Sequence, residues 1–336
     1  MERFEYRIVV TVAFMVLVAS WTVVVPAPAP AQEPSPDEAP RYFGGHQFIP
    51  STVVPDPFIS TTFTSTTGFG RAMGLEVPIF NLDDEQIGEL EGNIGFMLLE
   101  FNYQQRLGSR FALRAGAVAT ARVGTTAEAI LSEGISALYG YGIGGSFNLV
   151  RKERWQLAVT ADLRGNTLYA MSPLAFAQAI VEEIESGDST GAVQSAQDTL
   201  LSSGDNLRVL GGLRGAYTPT EWIGFTAFVE GGMGERFSRT DDNTSVINYG
   251  GTVSFDLNPL TGKAVGLLGT FRRESLGERG DDDIGDSESV GLGIFYTGRR
   301  FFSIGLENSW SQIRQLRADS KIDVGQARIV MRYDFR

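Results

Sequence analysis

Cysteine is absent from this chain. That excludes a disulfide scaffold, a thiol nucleophile, a thiolate metal centre and a lipid-bearing N-terminal cysteine. Histidine occurs once, at His46. A lone imidazole with no cysteine or second histidine is a poor metal ligand, so a solvated side chain is expected there. Basic residues are outnumbered, 28 Lys and Arg against 40 Asp and Glu, for a net charge of -12. This balance argues against nucleic acid as a partner. Long apolar runs are scarce as well, and mean hydropathy is -0.04.

The one run that could cross a bilayer as a helix is residues 8–25, IVVTVAFMVLVASWTVVV. It follows Arg3 and Arg7 and precedes PAPAPAQ, where Ala29-Pro30-Ala31 fits small-x-small cleavage. Residues 1–31 are therefore expected to be a signal peptide, with an uncleaved anchor helix as the alternative. Most of the 13 prolines follow within residues 26–57. Residues 32–57 are expected to be an extended periplasmic lead-in, or a plug. No defined metal loop is present either. Asp281–Asp283 with Asp286 and Glu288, and Asp241-Asp242-Asn243, lack calcium-loop spacing and read as solvated loops.

Glycine and phenylalanine are plentiful, at 40 and 22 residues, which favours short strands and turns over helices. From residue 58 a period-two alternation begins and recurs to the end. GFMLLEFNYQQ (95–105) sets Met97, Leu99, Phe101 and Tyr103 on one face and Glu100, Asn102 and Gln104 on the other. The same pattern runs through 58–70, 111–123, 136–150, 155–169, 206–218, 222–237, 246–257, 263–273, 288–298, 301–314 and 322–335. That makes about twelve strands, close to the ~9–11 residues a tilted transmembrane strand needs.

The connections alternate in length. LGSR (107–110), RKER (151–154), TPTE (218–221), NPLTG (258–262) and GRR (298–300) are short. Between them lie the longer 71–94, 123–135, 170–205, 238–245, 276–288 and 316–321. A transmembrane antiparallel up-and-down β-barrel over 58–336, with short periplasmic turns and long external loops, produces this rhythm. The final strand, GQARIVMRYDFR, would then pair with the first to close it.

Residues on the polar register would line the lumen. The basic ones are Arg114, Arg122, Arg164, Arg208, Arg214, Arg272, Arg328 and Arg332, and the acidic ones include Glu100, Asp162, Glu230 and Glu307. Charges so placed need water or ion-pair partners. Lumen-side glycines (Gly140, Gly142, Gly144, Gly212, Gly250, Gly266, Gly293 and Gly305) fill no space and suggest room inside. In the loop 170–205, Ser172-Pro173 starts a helix carrying Leu174, Ala177, Ile180, Val181 and Ile184. A second helix aligns Val193, Ala196 and Leu200, so this external loop would form a constriction or an apolar vestibule.

The C-terminal strand resembles that of bacterial outer-membrane barrel proteins, which end in an amphipathic strand read by the barrel assembly machinery. Gly325, Tyr333 and Phe335 carry the resemblance, with Arg336 following the phenylalanine. The strand count is similar to that of outer-membrane phospholipases, but no barrel-wall Ser–His pair can be drawn, so an enzyme is not expected. The helical external loop is similar in principle to the capture site of long-chain fatty acid transporters. The resemblance implies a porin-like or transporter-like channel for small molecules, apolar ones included, with no cofactor. A general diffusion porin is the near rival, and a structural or adhesive barrel with a blocked lumen is the rival of another class.

Overall fold

The computed structural model describes residues 41–80, 86–125, 135–171, 201–234, 244–276, 284–315 and 320–335. Two short strands, β1 (Tyr42–Phe43) and β2 (His46–Gln47), form a hairpin of their own. Twelve longer strands follow. They are β3 (Thr61–Phe80), β4 (Gln86–Arg106), β5 (Phe111–Gly124), β6 (Ile135–Arg151), β7 (Trp155–Met171) and β8 (Leu201–Thr220). The rest are β9 (Ile223–Gly234), β10 (Thr244–Asp256), β11 (Val265–Leu276), β12 (Ile284–Arg299), β13 (Phe302–Gln315) and β14 (Ser320–Phe335). Each pairs antiparallel with its sequence neighbours, and β14 returns to β3 from Phe335↔Thr61 to Asp323↔Met73. The sheet is a closed up-and-down barrel, so along its girth every strand has two partners.

Alternation decides what each wall faces. Phe69, Met97, Val209, Leu292, Ile294 and Ile329 each expose more than half of their surface on the outside. A continuous apolar band of this kind is stable only against hydrocarbon. Near the short turns the outward residues become aromatic, with Tyr103, Phe147, Trp155, Tyr217, Phe225, Tyr296 and Phe335 all exposed. Tyr333 and Phe335 lie with ring centroids 5.0 Å apart. This is the girdle expected where hydrocarbon meets headgroups.

The short turns are tightly closed. Leu107 N–H donates to Phe111 O at 2.8 Å and Lys152 N–H to Trp155 O at 2.8 Å. Between β10 and β11 a single helical turn, α1 (Asn258–Thr261), begins with a first-turn proline and ends at Gly262 with φ 69°.

One expected long loop is not a loop. Much of 71–94 continues β3 and β4 outward, with Leu75↔Gly92 through Phe80↔Gln86 in register after an irregularity at Ala72/Leu75. Pro78 obscured this in the sequence. It is tolerated because the β14 ladder ends at Met73, leaving that part of β3 a one-sided edge that needs no donor there. The leader expected at 1–31 and the helices expected within 172–200 lie outside the described residues.

Candidate functional site: a charged lumen over an internal plug

Residues 41–60 run inside the barrel at the short-turn end. Their hydrogen-bond partners come from all round the wall. Gln104 on β4 donates to Phe58 O at 2.8 Å and Ser60 O at 2.9 Å. Gln156 on β7 donates to Pro57 O at 2.6 Å. On β13, Glu307 accepts from Thr52 N–H at 2.9 Å, and on β14 Arg328 donates to the Thr52 hydroxyl. Gln47 donates to Arg299 O at 3.2 Å.

Apolar seating accompanies these bonds. Phe48 and Phe58 pack with Ala216, Ile49 with Leu268, Phe295 and Val330, and Val53 and Val54 with Phe228. Each fully buried side chain of this kind contributes ~1.5–3 kcal/mol of transfer free energy. The wall members sit on the inward register, which is otherwise mostly polar on these strands.

The glycines near the plug are not empty space, which corrects the expectation of room behind them. A Cβ on Gly266 would come within 2.4 Å of Ile49 Cδ1, and one on Gly224 within 2.4 Å of the His46 ring. Deeper in the lumen, a Cβ on Gly144 would overlap the Asp162 carboxylate. These positions lack side chains because a specific neighbour already fills the volume.

His46 is likewise not solvated. It is fully buried, with Nε2 2.8 Å from Ser254 Oγ and Nδ1 3.3 Å from Glu221 O. Nδ1–H therefore donates to the carbonyl and Nε2 accepts from the hydroxyl. Burial is the main cause that pushes this imidazole down to about 4, with Arg41 adding to the shift, so it is neutral near pH 7. A Ser–His contact thus exists between the plug and the wall, with the histidine outside the barrel wall. Ser254 is buried like His46, and the pair ties the plug to β10.

A second tie is ionic. Asp56 in the plug contacts Arg332 of β14 and Arg41, the latter at 3.4 Å, and Arg332 also bonds Asp334 at 3.2 Å. Burial opposes ionisation of Asp56, but Arg332 and Arg41 outweigh it and hold the carboxyl below the usual range. Burial brings the Arg41 guanidinium down to about 10, and it stays charged at neutral pH.

Pro50–Asp56 form the floor of a chamber of about 390 Å³ in the middle of the barrel. Its walls carry a ladder of charges. Arg114 (β5) meets Asp162 (β7) at 2.8 Å, and Asp162 meets Arg214 (β8) at 2.9 Å and Arg164 (β7) at 3.3 Å. Glu230 (β9) completes it, accepting from Arg164 at 3.0 Å and from Arg214. Glu100 and Arg272 line the same chamber, and Glu307 and Arg328 meet the plug at Thr52. Arg208 reaches from β8 to Glu274 on β11 at 3.0 Å, and Glu274 also holds Arg272 at 2.7 Å. Arg122 stands on β5 in register with Phe96 and Ser136. The Nε donors of Arg114, Arg208 and Arg214 have no protein acceptor among the described residues.

Of the expected vestibule residues, Leu174, Ala177, Ile180, Val181, Ile184, Val193 and Leu200 all lie outside the described residues. Gly325 pairs with Arg71 and Trp310, and Tyr333 with Phe63 and Phe302. What the sequence reading left out is the partner set of the plug: Ser51, Thr52, Asp56 and His46. Its signal was the apolar interruptions of the lumen register at Phe228, Leu268, Phe295 and Val330, which have no purpose in an open polar pore.

Closed ladder, apolar outer band, aromatic girdle and polar interior define a membrane-spanning β-barrel with an internal plug. No protein-family model matches the chain, and no curated protein matches it by sequence. Solved structures of similar shape include the translocator domain of the autotransporter NalP from Neisseria meningitidis, 13% identical, covering 82% of this chain and 88% of that one at a TM-score of 0.48. The NanC porin is 8% identical over 81% of this chain and 100% of its own, at 0.43. A TodX monoaromatic hydrocarbon channel mutant is 9% identical over 84% and 91%, at 0.43. All are outer-membrane barrels, and at these identities the likeness is one of architecture alone.

Proposed function

We propose that this chain is an outer-membrane channel for small solutes, entered from the long-loop side and closed on the short-turn side by residues 41–60. The observation that carries the reading is the chamber itself: a cavity inside the barrel, lined by charges and floored by a segment of the same chain. A solute entering it would meet Arg164, Arg208 and Arg272 first, then Glu100, Arg114 and Glu230 around the floor. Solutes bearing oxygen acceptors suit a chamber whose walls carry Arg114, Arg164 and Arg272. Apolar cargo, the finer expectation from the sequence, depends on the apolar faces within 172–200, which would act before the chamber. Export through a cleaved leader ending near Ala31, and assembly through the strand that ends in Tyr333 and Phe335, complete the reading.

A second reading is a structural barrel whose lumen stays sealed. The apolar seating of Phe48, Ile49 and Phe58 favours it. Vesicle swelling separates the two. Under the channel reading, protein lacking 42–58 admits small sugars and organic acids quickly, and intact protein admits them slowly. If neither admits any solute while both barrels are folded, the channel reading fails.

A further inference from the structure

Charge is divided unequally between the two ends of the barrel. The six long connections (81–85, 126–134, 172–200, 235–243, 277–283 and 316–319) hold eighteen acidic residues against four basic ones. At the other end the ratio reverses. The short turns and their flanks (106–110, 151–154, 221–222, 257–264 and 299–301) hold eight basic residues against two acidic. For a chain of net charge -12, a basic rim at one end is not a consequence of composition.

The rim has three physical features. Arg106, Arg110, Lys152, Arg154, Lys263 and Arg299 are all exposed, and among the described residues none of the six forms an ion pair. They belong to four of the five short turns, the β8–β9 turn carrying Glu221 instead, so the charge is spread round most of the barrel rather than gathered on one flank. They also sit directly beyond the aromatic girdle. Lys152 Nζ lies 5.3 Å from the centroid of the Trp155 ring, a contact that joins the apolar belt to the charge above it.

We propose that this rim binds the phosphates of anionic phospholipids in the leaflet that surrounds the short turns. Cations at headgroup depth in four separate turns match lipids packed round a barrel, whereas a protein partner would need a patch on one side. Unpaired surface cations also act together on an anionic surface within a Debye length of ~8 Å. The proposal rests on the membrane-barrel reading above, since headgroups adjoin the rim only if the aromatic girdle marks the interface.

The test uses the full chain refolded in phosphatidylcholine vesicles containing trace spin-labelled phosphatidylglycerol or phosphatidylcholine. Electron spin resonance then gives the relative association constant of the two lipids with the protein. The wild type is expected to favour phosphatidylglycerol severalfold in low salt, with the preference collapsing towards unity near 1 M salt. The variant R110Q/K152Q/K263Q/R299Q should lose it, and R110K/R299K should keep it. A ratio of unity for wild type in low salt, or a neutralised variant that retains the preference, overturns the proposal. Heat-modifiable gel mobility is read on the same samples. A chain that shows no folded band in vesicles contradicts the barrel reading instead, so the two failures are distinguishable.

Discussion

Arg332, three residues from the last strand position, grips Asp56 in the plug across 276 positions of sequence. The contact joins the strand that closes the barrel to the segment seated inside it. Both groups are largely buried, Arg332 at 7% side-chain exposure and Asp56 at 23%. Removing Asp56 leaves Arg332 with Asp334 alone and Arg41 without its ion-pair partner. Breaking a buried pair from one side costs about 3–5 kcal/mol. Asp56→Ala is therefore expected to loosen the plug while sparing the strand ladder. Limited proteolysis of vesicle-bound protein should cut within 41–60 in the variant and not in the wild type.

The glycine seats predict the same outcome by a different route. Gly266→Val and Gly224→Val place atoms in volume held by Ile49 and by the His46 ring. Overpacking of this kind costs about 1–3 kcal/mol, and here it falls on the plug rather than on the ladder. Each variant should fold, shown by heat-modifiable mobility, and should expose the plug to protease. A control at Gly262, where a Cβ meets nothing within 4 Å, should leave protease resistance unchanged apart from strain at its positive φ.

Proton linkage gives the docking a direction with pH. A docked His46 titrates at about 4, whereas an undocked one returns to the ordinary value of ~6.5. The undocked state binds the proton more tightly. Docking is therefore fully stable above ~6.5 and weakens by about 1.4 kcal/mol per pH unit as pH falls towards 4. Asp56 acts in the same sense further down, because its depressed pKa gives stability that is lost once the carboxylate protonates. Between pH 7 and pH 5 the undocked fraction should rise about twentyfold. His46→Gln should flatten that response, measured as protease sensitivity of 41–60 against pH.

The strand pattern was readable for a physical reason: a barrel wall has two solvents, and parity sorts side chains between them residue by residue. Ile329, Met331 and Phe335 could be sent outward and Arg328 and Arg332 inward from spacing alone. Pairing was not readable, because Asp162 meets Arg214 on the adjacent strand and Arg114 two strands away at levels set by strand register, which spacing along one strand does not give. The plug was the harder case. FIPSTVVPDPF (48–58) has prolines that break any strand period, and its apolar residues find partners only inside an assembled barrel. His46 misled for the same reason. A single histidine among prolines looks solvated until Ser254, 208 positions away, closes over it.

The outer face permits a test of the membrane itself. Ile329 is 53% exposed on the outward register of β14. Ile329→Arg should cost about 2–4 kcal/mol if hydrocarbon surrounds it near the bilayer midplane. The same change at Leu260, exposed on α1 beyond the girdle, should cost little. Urea unfolding from vesicles gives both values, and equal costs at the two sites would contradict an apolar belt at Ile329.

The central claim is that residues 41–60 close an otherwise continuous lumen. Single-channel recording in planar bilayers tests it most directly, comparing intact protein with protein lacking 42–58 at neutral pH, both verified as folded barrels. The account predicts a silent or rarely opening intact protein and a steady conductance after deletion. Equal conductance in the two, whether open or silent, would contradict it.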